Sequence, residues 1–120
     1  MIVSKKKSFD AAHWLPEYDG PCNNMHGHHW VIEVGLEGEV KSDGMVLDFT
    51  ILKKFLNLIH DTFDHKVINK IIENPTAENI TLYINEKLMD WFPEEFLLSR
   101  FSLHHIKVWE TEDSYVELLG

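Results

Sequence analysis

His26-Gly27-His28-His29-Trp30-Val31-Ile32-Glu33-Val34-Gly35-Leu36-Glu37-Gly38-Glu39-Val40 decides how this chain folds. Side chains of an extended backbone alternate between two faces, so His26, His28, Trp30, Ile32, Val34 and Leu36 share one side while Glu33, Glu37 and Glu39 share the other. That pattern predicts a half-buried antiparallel strand over His26 to Val40. Upstream, Ile2 to Leu15 predicts a first strand with the same logic, placing Phe9, Ala11 and His13 on one face. Pro16 to Met25 joins the two as a loop rich in Pro, Gly and Asn, and it carries Cys22, the only cysteine.

Downstream the period changes. Ser42-Asp43-Gly44 marks a turn, and Asp48 is placed to cap a helix whose apolar residues Phe49, Leu52, Phe55, Leu56, Ile59 and Phe63 recur at three and four. Thr76, after Pro75, is placed to cap a second helix from Ala77 to Phe92, with Ile80, Ile84, Leu88 and Trp91 as its stripe and Pro93 as its end. The tail from Ser102 to Leu119 returns to strand character through Leu103, Ile106, Val108 and Val116, with Glu112-Asp113-Ser114 as a hairpin turn. The expected order is β-β-α-α-β-β, an α+β fold with a four-stranded antiparallel sheet covered by two helices on one face, in one domain over residues 1–120. Two open sheet edges would remain, and oligomerisation could pair them.

With 11 basic and 20 acidic residues the net charge is −9, which argues against general nucleic-acid binding, since phosphate neutralisation needs a basic face. A lone cysteine excludes an internal disulfide. The expected compartment is the cytoplasm, because neither a signal-peptide pattern nor an apolar run of about 20 residues for a membrane span occurs.

His26 and His28, two apart on a strand, point to one face and can reach one metal ion, with His13 on the neighbouring strand as the natural third ligand. Three histidines leave a fourth position open, as in catalytic zinc sites. An isolated His-x-His is otherwise an ordinary exposed strand feature. Cys22 reads three ways: a fourth ligand, a proton-transfer thiolate beside a cation, or a small buried hydrophobe. Asp64-His65 follows the first helix; a carboxylate there can orient and activate the imidazole, or the two are a surface capping pair. Glu110 is a carboxylate in the apolar strand Val108-Trp109-Glu110-Thr111, and if buried it needs a partner with several donors, such as a guanidine-like ring edge.

Taken together, Phe9-Asp10-Ala11-Ala12-His13, Cys22-x-x-x-His26-Gly27-His28, Gly44-Met45-Val46-Leu47-Asp48-Phe49, Asp64-His65, Asn74-Pro75-Thr76-Ala77-Glu78-Asn79 and Glu110-Thr111 resemble the 6-pyruvoyl- and 6-carboxy-tetrahydropterin synthase family nearly end to end. The resemblance implies the tunnelling fold (T-fold), in which neighbouring subunits join their sheets into a barrel, commonly a trimer and then a hexamer. It implies zinc held by His13, His26 and His28, proton transfer by Cys22 with Asp64 and His65, a pterin ring anchored by Glu110, and a ring pocket lined by Thr76 and Glu78. Some of these would serve a neighbouring subunit's zinc.

The implied reaction is zinc-dependent lyase chemistry on dihydroneopterin triphosphate, giving 6-carboxytetrahydropterin with acetaldehyde, as in queuosine (7-deazaguanine) synthesis, or a pyruvoyl product. The short three-residue spacing between Cys22 and His26 resembles the bacterial 6-carboxy enzymes and favours the carboxy product. The triphosphate would need a local basic patch, for which Lys5 to Lys7, Lys53, Lys54, Lys66 and Arg100 are candidates. The rivals are a metal-independent dihydroneopterin aldolase or epimerase and a closed-site metal-binding module without turnover.

Overall fold

The computed structural model describes residues 1–92, 94, 98 and 100–120. Strands β1 (Ile2–His13) and β2 (His26–Gly38) are followed by helices α1 (Phe49–Phe63) and α2 (Ala77–Trp91), then by strands β3 (Phe101–Thr111) and β4 (Ser114–Leu119). The sheet is antiparallel throughout, in the order β1-β2-β3-β4. The expected order of elements therefore holds, with β1 ending at His13 and β2 at Gly38, each earlier than the apolar pattern suggested, and β4 ending at Leu119 as expected. The role of Pro93 as helix terminator lies outside the described residues.

Sheet parity works as read. Phe9, Ala11 and His13 from β1 and Trp30, Ile32, Val34 and Leu36 from β2 are buried on the face covered by α1 and α2. Leu52, Phe55, Leu56, Ile59 and Phe63 of α1 and Ile80, Ile84 and Leu88 of α2 fill the space between. A fully buried side chain of this size contributes about 1.5–3 kcal/mol through removal of apolar area from water. Phe49, expected in the α1 stripe, is instead exposed, because it is the first helical residue and lies beyond the end of the sheet-facing row. Trp91 is likewise partly exposed at the last position of α2, packed on Phe55 and Phe92.

Both caps form as the sequence suggested. Asp48 Oδ1 accepts the Thr50 N–H at 2.8 Å, and Thr76 Oγ1 accepts the Asn79 N–H at 3.1 Å. In β3 the apolar pattern jumps by three, from Leu103 to Ile106, because a bulge opposite Gly35 and Leu36 makes His104 an extra residue. A second irregularity separates Trp109 from Thr111 in the pairing with β4, which leaves Glu110 as the extra residue there.

The segment after α1 sets the position of the Asp64-His65 pair. Asp64 closes the helix with its N–H on the His60 carbonyl, and His65 takes a left-handed conformation at φ 57°. That turn lays the chain against the outer edge of β1, where His65 N–H donates to Asp10 O at 2.7 Å and Ala12 N–H donates to Lys66 O at 3.1 Å. A non-glycine residue in the left-handed region carries a cost of about 1 kcal/mol or more, offset here by these backbone bonds.

Candidate metal centre and active site

At one end of the sheet, on the helix-covered face, His13 sits directly opposite His26 and Ala11 opposite His28 in the β1–β2 register. One ligand atom from each of His13, His26, His28 and Glu110 lies within 4.8 Å of the others. Trp30 forms the floor: its ring lies 5.0 Å from that of His13 and 5.4 Å from that of His28, edge to face, and its indole N–H donates to the Ala11 carbonyl.

Two of the rings have fixed tautomers. A carbonyl oxygen only accepts, so His13 Nδ1, at 2.8 Å from Pro75 O, and His26 Nδ1, at 2.7 Å from Asn24 O, must each carry the proton when the ring is neutral. Their Nε2 atoms then present bare lone pairs, and these stand only 3.1 Å apart. His28 Nε2 is buried without a hydrogen-bond partner although Glu110 Oε1 is 3.0 Å away, so the two atoms are close but not aligned for an N–H···O bond. Electron-rich atoms converging on one point repel one another unless a cation lies between them, so the donor set fits a metal ion. Carbonyls behind the His13 and His26 rings are the usual support of metal-binding imidazoles.

Electrostatics favour the same state. Desolvation by burial holds the His13 imidazole below its ordinary value, outweighing the Pro75 carbonyl and Glu110, which favour the cation. Burial also lowers His28, against the pull of Glu110 and helped by neighbouring His26. Neutral imidazole is the form that binds metal.

The other candidates are distributed around this group. Cys22 is half-buried in a 3-10 turn, Pro21–Asn23, and is not among the four. Thr76 adjoins Pro75, whose carbonyl holds His13, and Glu78 is exposed in the first turn of α2. Asp64 and His65 form a pair of their own: Asp64 Oδ2 accepts from His65 Nδ1 at 2.7 Å and Asp64 Oδ1 accepts the Asp10 N–H at 3.0 Å. The Asp10 N–H, then His65, hold the Asp64 carboxyl below its ordinary value. The His65 side chain is 81% exposed and stands at the β1 edge, outside the four-residue group.

Sequence reasoning placed Glu110 at a ring edge and missed it as a neighbour of the histidines. The signal was present, because the alternation that buries Ile106 and Val108 also turns Glu110 to the helix-covered face. It also passed over His60, whose Nε2 lies 3.4 Å from Asp64 Oδ2 one helical turn earlier. His29 points away from the metal face and pairs with Asp10 at 2.7 Å.

A cleft of about 480 Å³ borders His28 and Glu110, with Lys6, His29, Val31 and Trp109 of the helix-free face lining its other side. That volume suits a small bicyclic ligand. No helix among the described residues is long and apolar enough to cross a membrane.

Residues 2–120 match the family described as 6-pyruvoyl tetrahydropterin synthase. A dihydroneopterin monophosphate aldolase of Pyrococcus furiosus is 41% identical, over 94% of this chain and 92% of that protein. A 6-carboxy-5,6,7,8-tetrahydropterin synthase of Synechocystis is 36% identical, over 92% of this chain and 86% of that protein. The solved 6-pyruvoyl tetrahydropterin synthase of Caenorhabditis elegans superposes with a TM-score of 0.85 at 33% identity, covering 100% of this chain and 95% of that one. Four antiparallel strands and two helices in the order β-β-α-α-β-β are the tunnelling fold of these neighbours. The chain belongs to the 6-pyruvoyl tetrahydropterin synthase family.

Proposed function

We propose that this protein is a zinc-dependent 6-carboxy-5,6,7,8-tetrahydropterin synthase, a lyase converting 7,8-dihydroneopterin triphosphate and one water to 6-carboxytetrahydropterin, acetaldehyde and triphosphate in queuosine biosynthesis. The observation that carries the reading is the pair of bare Nε2 lone pairs on His13 and His26 at 3.1 Å, with His28 Nε2 unpartnered beside them. His13, His26 and His28 would hold the zinc, which supplies Lewis acidity to a substrate oxygen when bound.

The remaining steps belong to side chains. The cleft beside His28 seats the pterin, and the Glu110 carboxylate meets the guanidine-like edge of the ring with two parallel N–H···O bonds. The family resemblance also assigns Thr76 and Glu78 to the ring pocket; they stand at the start of α2, apart from the residues that line this cleft. Cys22 would take a proton from the substrate side chain, and His65, held by Asp64 in one tautomer, would return one. His65 is too exposed at the β1 edge to be enclosed within its own subunit, which supports a homo-oligomer in which the Asp64-His65 pair serves the adjoining copy's site. In this reading the chain acts in the cytoplasm as one domain over residues 1–120.

The Pyrococcus furiosus relative favours a second reading, retro-aldol cleavage of a dihydroneopterin monophosphate. Breaking the C1′–C2′ bond would leave a hydroxymethyl group on the ring and release a two-carbon phosphorylated aldehyde. Incubating zinc-loaded protein with each substrate and identifying products by mass spectrometry tests both readings. A 6-carboxy product with acetaldehyde from the triphosphate supports the synthase. A pyruvoyl product moves the activity to the pyruvoyl synthases, and a hydroxymethyl product from the monophosphate makes the protein an aldolase. No conversion of either with zinc bound means a metal-binding module without turnover.

A further inference from the structure

We infer that Glu110 is a fourth metal ligand in the substrate-free protein, and that the same carboxylate leaves the metal for the guanidine-like edge of the ring when substrate enters. The second half of this inference rests on the pterin reading above; the first half does not.

Three observations carry it. Glu110 Oε1 belongs to the group whose ligand atoms lie within 4.8 Å of one another, so it stands with the three imidazoles and not merely near them. Its 3.0 Å approach to His28 Nε2 lacks hydrogen-bond alignment, which is what two atoms facing a common third point look like, as opposed to a donor facing an acceptor. Glu110 also continues the alternation of Ile106 and Val108 onto the helix-covered face, and as the extra residue at the β3–β4 irregularity it has no partner in β4.

Three imidazoles and one carboxylate complete a tetrahedral zinc site and lower its net charge from +2 to +1. Such a site is closed to water and to stray anions. Glu110 is 30% exposed and borders the cleft beside His28, so a ring entering that cleft meets the carboxylate directly. A guanidine-like edge offers two parallel donors, which compete with a single metal–oxygen contact. Capture of the carboxylate would then vacate the fourth position and restore the full Lewis acidity at the moment the substrate side chain arrives. Ring recognition and opening of the metal would be one event, and molecules without that edge would leave the site closed.

The test uses Co²⁺ as the probe metal and unsubstituted pterin as the ring, since that pterin has no side-chain oxygen to bind metal. Wild-type protein, Glu110→Gln and Glu110→Asp are loaded with Co²⁺, after circular dichroism of the metal-free forms has shown that each is folded. Wild type should give the intense visible bands of a four-coordinate site, and Glu110→Gln should bind Co²⁺ about tenfold or more weakly with altered bands. Glu110→Asp, which keeps the carboxylate, should fall between them. Adding pterin to wild type should shift its bands toward those of Glu110→Gln and leave Glu110→Gln itself unchanged. Equal Co²⁺ affinity and identical bands in wild type and Glu110→Gln would overturn the ligand role. Unchanged wild-type bands with pterin bound, as followed by pterin fluorescence, would overturn the switch. Failure of pterin to bind at all would sink the pterin reading and the switch together, while the affinity comparison still decides whether Glu110 is a ligand.

Discussion

The His13 ring ties the end of β1 to the start of α2: its Nδ1–H donates to the Pro75 carbonyl oxygen at 2.8 Å while its Nε2 faces His26 Nε2 at 3.1 Å. One side chain therefore serves both packing and the metal group. His26 differs, because it is only half-buried and its Nδ1–H reaches the carbonyl of Asn24 in the adjoining loop. His13→Ala should destabilise the metal-free protein by about 2–4 kcal/mol, from a cavity in a fully buried site plus an orphaned buried carbonyl. His26→Ala should cost the metal-free protein less than about 1 kcal/mol. Urea unfolding of the two metal-free variants separates the roles, and equal losses would contradict them.

The depressed imidazoles fix a pH dependence. Burial holds His13 and His28 below the ordinary value of 6.5 in the folded state, whereas both return to it on unfolding. Below about pH 6.5 the unfolded chain then binds protons that the folded chain refuses, so stability is fully present above that pH and falls as pH drops through the window beneath it. Asp64 acts in a separate window: its carboxyl lies below the ordinary 3.8 when folded, so its contribution disappears only in stronger acid. Urea midpoints of the metal-free protein should be level from pH 8 to 7 and decline by pH 5.5. A level midpoint down to pH 5 would show that the rings are not held neutral.

Much of this was legible in the sequence because sheet parity is a rigid rule. The period of two puts His13, His26 and His28 on the face of Phe9, Trp30 and Ile32, and Asp48 and Thr76 announce both helix starts. What parity cannot foresee is a slip in the ladder. The bulge that makes His104 an extra residue and the irregularity at Glu110 depend on how β3 meets its neighbours across the sheet, which no local pattern encodes. Phe49 fits the helical stripe by spacing, yet a stripe carries no information on where the covering sheet ends. The placement of Asp64 and His65 at the β1 edge depends on a left-handed turn at a histidine, where glycine is the usual residue.

Gly35 is required by the helix-free face of the sheet. A Cβ at this position would lie 2.6 Å from His105 Nδ1, inside the ring that packs over it. His105 is buried, bonds Glu33 Oε2 through Nε2 at 2.6 Å and meets His104 Nδ1 at 2.7 Å, so it has little freedom to retreat. Gly35→Ala should therefore lose about 1–3 kcal/mol of stability. Adding His105→Ala should recover part of that loss, a non-additive result that thermal denaturation of the two single variants and the double variant would reveal. Strict additivity would place the strain elsewhere.

Asp64 stands outside the metal group, so its proposed task is to hold His65. Asp64→Asn should leave zinc content unchanged while lowering kcat by about 10²-fold or more with little change in KM, because an amide no longer fixes the imidazole tautomer or favours its cation. His60 lies 3.4 Å from the same carboxylate oxygen but at looser range, so His60→Ala should cost kcat far less. Steady-state kinetics beside metal analysis reads both, and zinc loss in Asp64→Asn would count against the assignment.

Cys22 decides between a proton-transfer group and a metal ligand. It sits in its own short turn, held by the Leu15 N–H on its carbonyl at 2.9 Å, and the four-residue group forms without it. Cys22→Ala should therefore keep a full complement of zinc while turnover falls by about 10²-fold or more. His26→Ala should lose both, because it removes one of the two converging lone pairs. Metal content by mass spectrometry and turnover measured on the same preparations make the comparison direct. Zinc missing from Cys22→Ala would make the thiolate a ligand, and full turnover in that variant would move the proton-transfer role to His65 alone.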